Sequence, residues 1–291
     1  NSLTYLKIDE RINQSCRLFQ KLNLKHNSIV TLKLDNSFEF LILYFACLRS
    51  NIIVNPIPNS LSDAEVNSSI DLIKPNLFVS RNSSFIKKIN RFKIYDIIDY
   101  YNFESILKNF DGTNFKPLKQ SINDVACIYH SSGTTGNPKC VEYTHSNMIE
   151  LIRCISLEFK FSEKDIFLGV LPLGHTAIIN YQLLPCVFLG AKIIITKNFN
   201  SVRSKLWEII RDNGISNLQV VPTILFSILA TPYDKTIMNQ NKTLNYISCG
   251  SAPLSKNTQI IAENILGLPV SNLYGLSETG PSHFDYPLKK N

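Results

Sequence analysis

The chain has 291 residues, 44% of them hydrophobic and 18% charged, with a net charge of +7. That balance excludes a disordered chain and supplies core-forming material for one large domain or two ordinary ones. The mild positive charge suits an anionic small molecule; the lysines are scattered without a basic stripe or interleaved aromatics, so nucleic acid is not an expected partner.

Apolar positions at helical spacing (Ile8, Ile12, Cys16, Phe19) predict a helix over Ile8 to Leu22. A strand follows at Ile29 to Leu34, and Asn36 is the expected cap of a helix from Phe38 to Arg49. Ile52 to Val54 reads as a short strand stopped by Pro56 and Pro58. Ser62 and Glu65 form a capping-box pattern at the head of a helix ending near Ile73, and Leu77 to Val79 reads as a buried strand. From Arg81 to Gln120 the pattern loosens and reads as an irregular joint. The expected division is a first α/β part over 1–120 and a second over 121–291.

The second part is expected to open with strand Val125 to Tyr129. Helices at Ser146 to Phe159, Ala177 to Leu189 and Val202 to Asn213 alternate with strands at Ile166 to Leu171, Lys192 to Thr196 and Asn217 to Val221. Gly214 is placed to end the third of these helices. A helix after Pro222, strand Leu244 to Ser248, helix Ser255 to Leu266 and strand Val270 to Leu273 complete the series. Short apolar strands alternating with helices predict an α/β fold of two mainly parallel, helix-covered sheets.

Seven cysteines stand singly at 16, 47, 127, 140, 154, 186 and 249, with no C-x-x-C and no Cys/His cluster at zinc spacing. They read as small buried hydrophobes in a reducing compartment, and with no visible signal peptide the expected location is cytoplasmic. The longest apolar run, Phe40 to Leu48, is too short to span a bilayer, so no transmembrane segment is expected. The chain opens on Asn1 rather than Met, as a fragment, a processed form or a trimmed chain does.

The densest chemical signal is Ser131-Ser132-Gly133-Thr134-Thr135-Gly136-Asn137-Pro138-Lys139, directly after an apolar strand. Its glycines let backbone N–H groups approach a phosphate, its four hydroxyls add donors, and its lysine adds a point charge. It is not a P-loop, because Lys139 does not follow the second glycine directly. Three further segments fall at strand ends, where α/β folds bind ligands. They are Leu171-Pro172-Leu173-Gly174-His175-Thr176, Ser248-Cys249-Gly250-Ser251-Ala252-Pro253-Leu254 and Leu273-Tyr274-Gly275-Leu276-Ser277-Glu278-Thr279-Gly280. Singly each is an ordinary turn, a satisfied histidine or a surface acid; together they supply phosphate donors, a flat ring and a carboxylate for a hard cation.

These four segments, in this order, resemble the adenylate-forming superfamily of acyl- and aryl-CoA synthetases, peptide-synthetase adenylation domains and firefly luciferase. Leu3-Thr4-Tyr5-Leu6 and the stretch Leu48 to Pro58 extend the resemblance over essentially the whole chain. The resemblance implies attack of a carboxylate on the α-phosphate of ATP, giving acyl-AMP and pyrophosphate. Acyl transfer to CoA or to an acyl-carrier protein would follow. It also implies that Ser131, Ser132, Gly133, Thr134, Thr135, Gly136 and Lys139 hold the β- and γ-phosphates. Tyr274, with Gly275 beside it, would stack on adenine, and Gly250, Ser251 and Ala252 would line the adenine and acyl pocket. Asn272 would contact the nucleotide, Ser277 the α-phosphate, Glu278 Mg2+, and His175 would sit beside the reacting carboxylate. His175, Ser277 and Lys139 are thus the implied catalytic residues.

The chain departs from the family pattern in places. Cys140 follows Lys139 where glycine is usual, and Gly174 stands where an aromatic often precedes His175, which is expected to widen the acyl entrance. Residues 1–291 do not include the family's small C-terminal domain with its lysine, so weak adenylation by this chain alone is expected. No acidic residue lies between Leu171 and Leu189 to pair with an α-amine, which favours an apolar acyl or aryl acid lined by Ala177, Ile178, Ile179 and Tyr181. Two alternatives stay open: loading of a carrier protein, and a non-catalytic ATP- or acyl-binding module.

Overall fold

The computed structural model describes residues 2–80, 100–117, 120–131 and 139–285. The first sheet contains β1 (Ile29–Lys33), β2 (Ile53–Pro56), β3 (Leu77–Ser80), β4 (Val125–Ser131) and β5 (Lys139–Thr144), in spatial order β3-β1-β2-β4-β5. Its pairings are parallel except for β5, which runs antiparallel to β4. Every residue of β2 and β3 is buried, as expected of strands covered on both faces.

Helix Tyr5–Lys21 starts at Thr4, whose side chain accepts from the Lys7 N–H, and buries Ile12, Cys16 and Phe19. It packs on helix Phe38–Arg49, whose Tyr44 hydroxyl lies 3.2 Å from that of Tyr129 on β4. The cap of this second helix is Ser37, which accepts from the Phe40 N–H, and not Asn36. The Ser62–Glu65 capping box forms as expected at the head of helix Asp63–Ile73.

The second sheet contains β6 (Ile166–Gly169), β7 (Lys192–Ile195), β8 (Asn217–Val220), β9 (Ile247–Cys249), β10 (Val270–Leu276) and β11 (Gly280–Phe284), in the order β11-β10-β9-β8-β6-β7. It too is parallel except at one edge, where β11 runs antiparallel to β10. Residues 176–189 are helical throughout, with a π-type turn over Ile179–Leu183. Tyr181 and Phe284 both pack against Phe159, with ring centroids 4.9 and 4.2 Å from it, beside Ile155 and Leu273. Gly214 and Gly267 end helices Leu206–Asn213 and Lys256–Leu266 in left-handed conformation. The two mainly parallel, helix-covered sheets expected from the sequence are the two sheets of the fold.

Two details of organisation differ from expectation. β4 does not open the second half; it pairs with β2, Val54 opposite Cys127, and completes the first sheet. The chain forms two compact units: Asn1–Met148 with Leu173–His175, and Ile149–Pro172 with Thr176–Asn291. The division thus falls inside helix His145–Glu158 rather than at residue 120. Much of the stretch expected as a joint lies outside the described residues. Its described part, after helix Tyr100–Leu107, docks on the first helix: Gln14 Nε2 donates to Phe110 O (3.0 Å), Asn13 Nδ2 to Gly112 O (3.1 Å) and an Arg17 guanidinium N–H to Thr113 O (2.9 Å).

Candidate functional site

The candidate residues divide between the two units. In the first, Ser131 ends β4 and Lys139 begins β5, and the two are register partners across the antiparallel pair. Ser131 is half-buried and Lys139 exposed. Ser132, Gly133, Thr134, Thr135 and Gly136 lie outside the described residues. Cys140 sits in β5 opposite His130. Extended backbone accepts any residue, so a side chain is tolerated where the family has glycine. Partial burial, aided by Glu142, pushes the Cys140 thiol pKa up and keeps it from being a reactive thiolate.

His175 also belongs to the first unit, although the strand before it and the helix after it belong to the second. The Leu173 N–H donates to Asn36 Oδ1 at 2.7 Å, and the Leu173 side chain is fully buried. A Cβ at Gly174 would overlap the Ile57 carbonyl and the Pro58 nitrogen. The wider acyl entrance expected from Gly174 is therefore not found: backbone of the first unit fills the space. Asn36 and Ile57–Pro58 follow the C-terminal ends of β1 and β2, and β4, which ends in Ser131, is the other neighbour of β2. The histidine turn thus docks on the same sheet edge that carries the Ser131–Lys139 hairpin. The His175 ring keeps an exposed face, yet desolvation by the protein around it lowers its pKa, so it is neutral at pH 7.

His130 was not among the sequence candidates, although it directly precedes Ser131. Its Nε2 lies 2.9 Å from Ser69 Oγ and 3.1 Å from Asn55 Nδ2. Asn55 is fully buried; its Oδ1 accepts from Thr31 Oγ1 (3.0 Å) and its Nδ2 also donates to Ile128 O (2.8 Å). Since Nε2 faces the Asn55 amide, which can only donate, Nε2 accepts and the imidazole proton is left to Nδ1, which is buried without a hydrogen-bond partner among the described residues. Burial lowers the His130 pKa.

In the second unit, β9 and β10 are parallel neighbours, Cys249 opposite Asn272, and bring their C-terminal ends together. Gly250 is buried and its N–H donates to Val220 O at 3.1 Å, while Ser251, left-handed at φ 66°, and Ala252 are exposed. Asn272 Nδ2 donates to Leu254 O at 3.4 Å, tying β10 to this loop. The Tyr274-to-Gly280 motif is a hairpin, a feature missed in the sequence because its residues read as loop. Leu276 pairs with Gly280, and Ser277, Glu278 and Thr279 form the turn, closed by Thr279 N–H to Leu276 O (3.3 Å) and Leu276 N–H to Thr279 Oγ1 (3.2 Å). Gly275, in β10, faces Pro281 on β11. Tyr274 is 59% exposed and stands 6.0 Å from the ring of its cross-strand partner His283, a neighbour visible only once the register is known.

Glu278 is exposed and makes no ion pair with a described residue. No group of three His, Cys, Asp or Glu among the described residues is arranged to hold a metal by itself. A lone carboxylate fits Mg2+ that takes its other ligands from phosphates and water. Of the expected acyl lining, Ile178, Ile179 and Tyr181 are fully buried core residues, and Tyr181 also holds its hydroxyl 3.4 Å from Ser248 Oγ; Ala177 keeps partial exposure. Three of the four are thus core rather than open lining. Among the described residues no helix is long and apolar enough to cross a membrane.

A family model described as AMP-binding enzyme matches residues 1–291. A 4-coumarate–CoA ligase of Humulus lupulus is 27% identical over 96% of this chain and 53% of its own. An acyl-CoA synthetase of Gibberella moniliformis is 32% identical over 54% of this chain and 27% of its own. The crystal structure of ATP-bound MatB from Rhodopseudomonas palustris has the same fold, with a TM-score of 0.87 at 20% identity, covering 100% of this chain and 58% of that one. The chain spans about half the length of the curated relatives it matches.

Proposed function

Because the chain belongs to the AMP-binding enzyme family, we propose that it binds ATP with Mg2+ and serves the activation of a carboxylate as its acyl-AMP. The carboxylate oxygen bonds to the α-phosphorus and the bond to the bridging β-phosphate oxygen breaks, releasing pyrophosphate. A thiol, CoA in the first instance, then takes the acyl group and releases AMP. The observation that carries this reading is the β10–β11 hairpin. It offers an exposed Tyr274 ring for a base and presents Ser277 and Glu278 in a tight turn, and Gly250 packs on the same strand at Leu273. The chemistry needs charge neutralised between two anions, and a serine hydroxyl, a Glu278-bound Mg2+ and the Lys139 ammonium are suited to it. A neutral His175 adds a hydrogen-bonding group without adding charge.

The absence of an acid between Leu171 and Leu189 argues for a carboxylate with no α-ammonium group, since a buried ammonium without a partner is costly. Calorimetric titration with Mg·ATP and with acyl-sulfamoyl adenosines, unreactive mimics of acyl-AMP, tests both parts. Apolar acyl and aryl mimics are expected to bind more tightly than aminoacyl ones. Replacing Tyr274 with Ala is expected to weaken all of them by roughly ten- to a hundredfold, the value of one stacked base. Failure to bind Mg·ATP sinks the proposal; preference for aminoacyl mimics sinks the substrate class.

A further inference from the structure

Asn36 stands at the head of helix Phe38–Arg49 but does not cap it, because Ser37 does. Its side-chain oxygen instead accepts from Leu173 N–H, 137 residues away, at 2.7 Å. We propose that Asn36 is a positioning residue which, with the bare backbone of Gly174, latches the Leu173–His175 turn onto the C-terminal ends of β1 and β2 and thereby sets where His175 presents its ring. The inference rests on the reading that His175 meets the reacting carboxylate.

Three observations carry it. The side chain of Leu173 is fully buried, and a peptide N–H in such a setting needs an acceptor, which Asn36 supplies. Gly174 packs its backbone directly on Ile57 and Pro58, so no residue with a side chain can occupy the turn without moving it. The latch points lie at the ends of β1 and β2, and the next strand of the same sheet, β4, ends in Ser131 opposite Lys139. One sheet edge therefore holds both the histidine and the root of the Ser/Gly-rich segment. A shift of the turn by an ångström would misplace the histidine against everything held by that edge.

The test is made on this chain labelled with 13C-histidine, whose five histidines give five Cε1–Hε1 resonances, His175 being assigned by loss in His175→Gln. Asn36→Ala is expected to shift or broaden the His175 resonance and, by leaving the Leu173 N–H without its acceptor, to lower the melting temperature by several degrees while the chain stays folded. Asn36→Asp, which keeps an acceptor, is expected to retain the wild-type signal, and Gly174→Ala to reproduce the Asn36→Ala spectrum. In an adenylate-formation assay, Asn36→Ala is expected to lower kcat by roughly ten- to a hundredfold with little change in KM for ATP, the signature of a misplaced group. An unmoved His175 resonance in Asn36→Ala, or an Asn36→Asp spectrum as altered as that of Asn36→Ala, overturns the proposal. If Asn36→Ala does not fold, Asn36→Ser, polar but too short to reach Leu173, is read in its place. If the wild-type chain does not bind Mg·ATP, the proposed function fails while the resonances still decide the latch.

Discussion

Asn55, buried between β1 and β4, shows how one side chain sets the state of another. Its amide is oriented by Thr31 and Ile128, and so it presents a donor to His130 Nε2. Burial opposes the charge of a protonated His130, and its Nε2 proton would meet the Asn55 amide donor. The folded pKa therefore lies below the ordinary 6.5. With a depressed histidine pKa, stability is full above the unfolded value and is lost as the pH falls through 6.5 towards the folded value, because the unfolded chain binds the proton first. Urea midpoints are expected to drop between about pH 7.5 and about pH 5. Replacing His130 with Gln should remove part of that drop, His145 and His175, lowered likewise by burial, accounting for more of it. An identical pH dependence in the variant would show that His130 titrates normally. Nothing local to Tyr129-His130-Ser131 announces this role; the partners come from β2 and helix Asp63–Ile73.

At the scale of elements, the two antiparallel edge strands are the parts least visible in the sequence. β5 and β11 each begin on the last residue of a motif, Lys139 and Gly280, and in β11 Gly280, Pro281 and Ser282 depress strand propensity as well. The short parallel strands and the helices, by contrast, announce themselves through apolar runs, a capping box and C-terminal glycines. The β10–β11 turn depends on Gly280, which is left-handed at φ 65°; a Cβ there would come within 2.8 Å of Leu151 Cδ2. Gly280→Ala combines backbone strain with overpacking and is expected to cost about 1–3 kcal/mol in urea unfolding. It should also weaken Mg·ATP binding, because Ser277 and Glu278 ride on that turn. A variant as stable as wild type would mean the turn relaxes freely.

For the whole molecule, the cysteines test the burial pattern. All seven are free; Cys140 and Cys154 are exposed, while Cys16, Cys47, Cys127, Cys186 and Cys249 are buried. Burial raises the pKa of Cys16 to about 11 and those of Cys127 and Cys249 to about 12, which suppresses their thiolates further. A thiol-specific chromogenic reagent is expected to titrate two groups in the native chain and all seven in denaturant, with no change on prior reduction. A third group reacting rapidly under native conditions would show that one of the buried sites opens.

The order of the four chemical segments, the alternation of helices and strands, and the isolation of the cysteines follow from the sequence alone, because each is carried by local residue type and spacing. Sheet membership does not. Whether β4 joins the first or the second sheet is a matter of backbone pairing, Val54 with Cys127, and backbone hydrogen bonds are nearly blind to side-chain identity. The seating of Leu173–His175 on the first unit is likewise decided by contacts with Asn36 and Ile57–Pro58, more than a hundred residues away. Gly174 reads in the sequence as an open space and in the structure as a filled one, since only the fold brings another backbone to where its side chain would be.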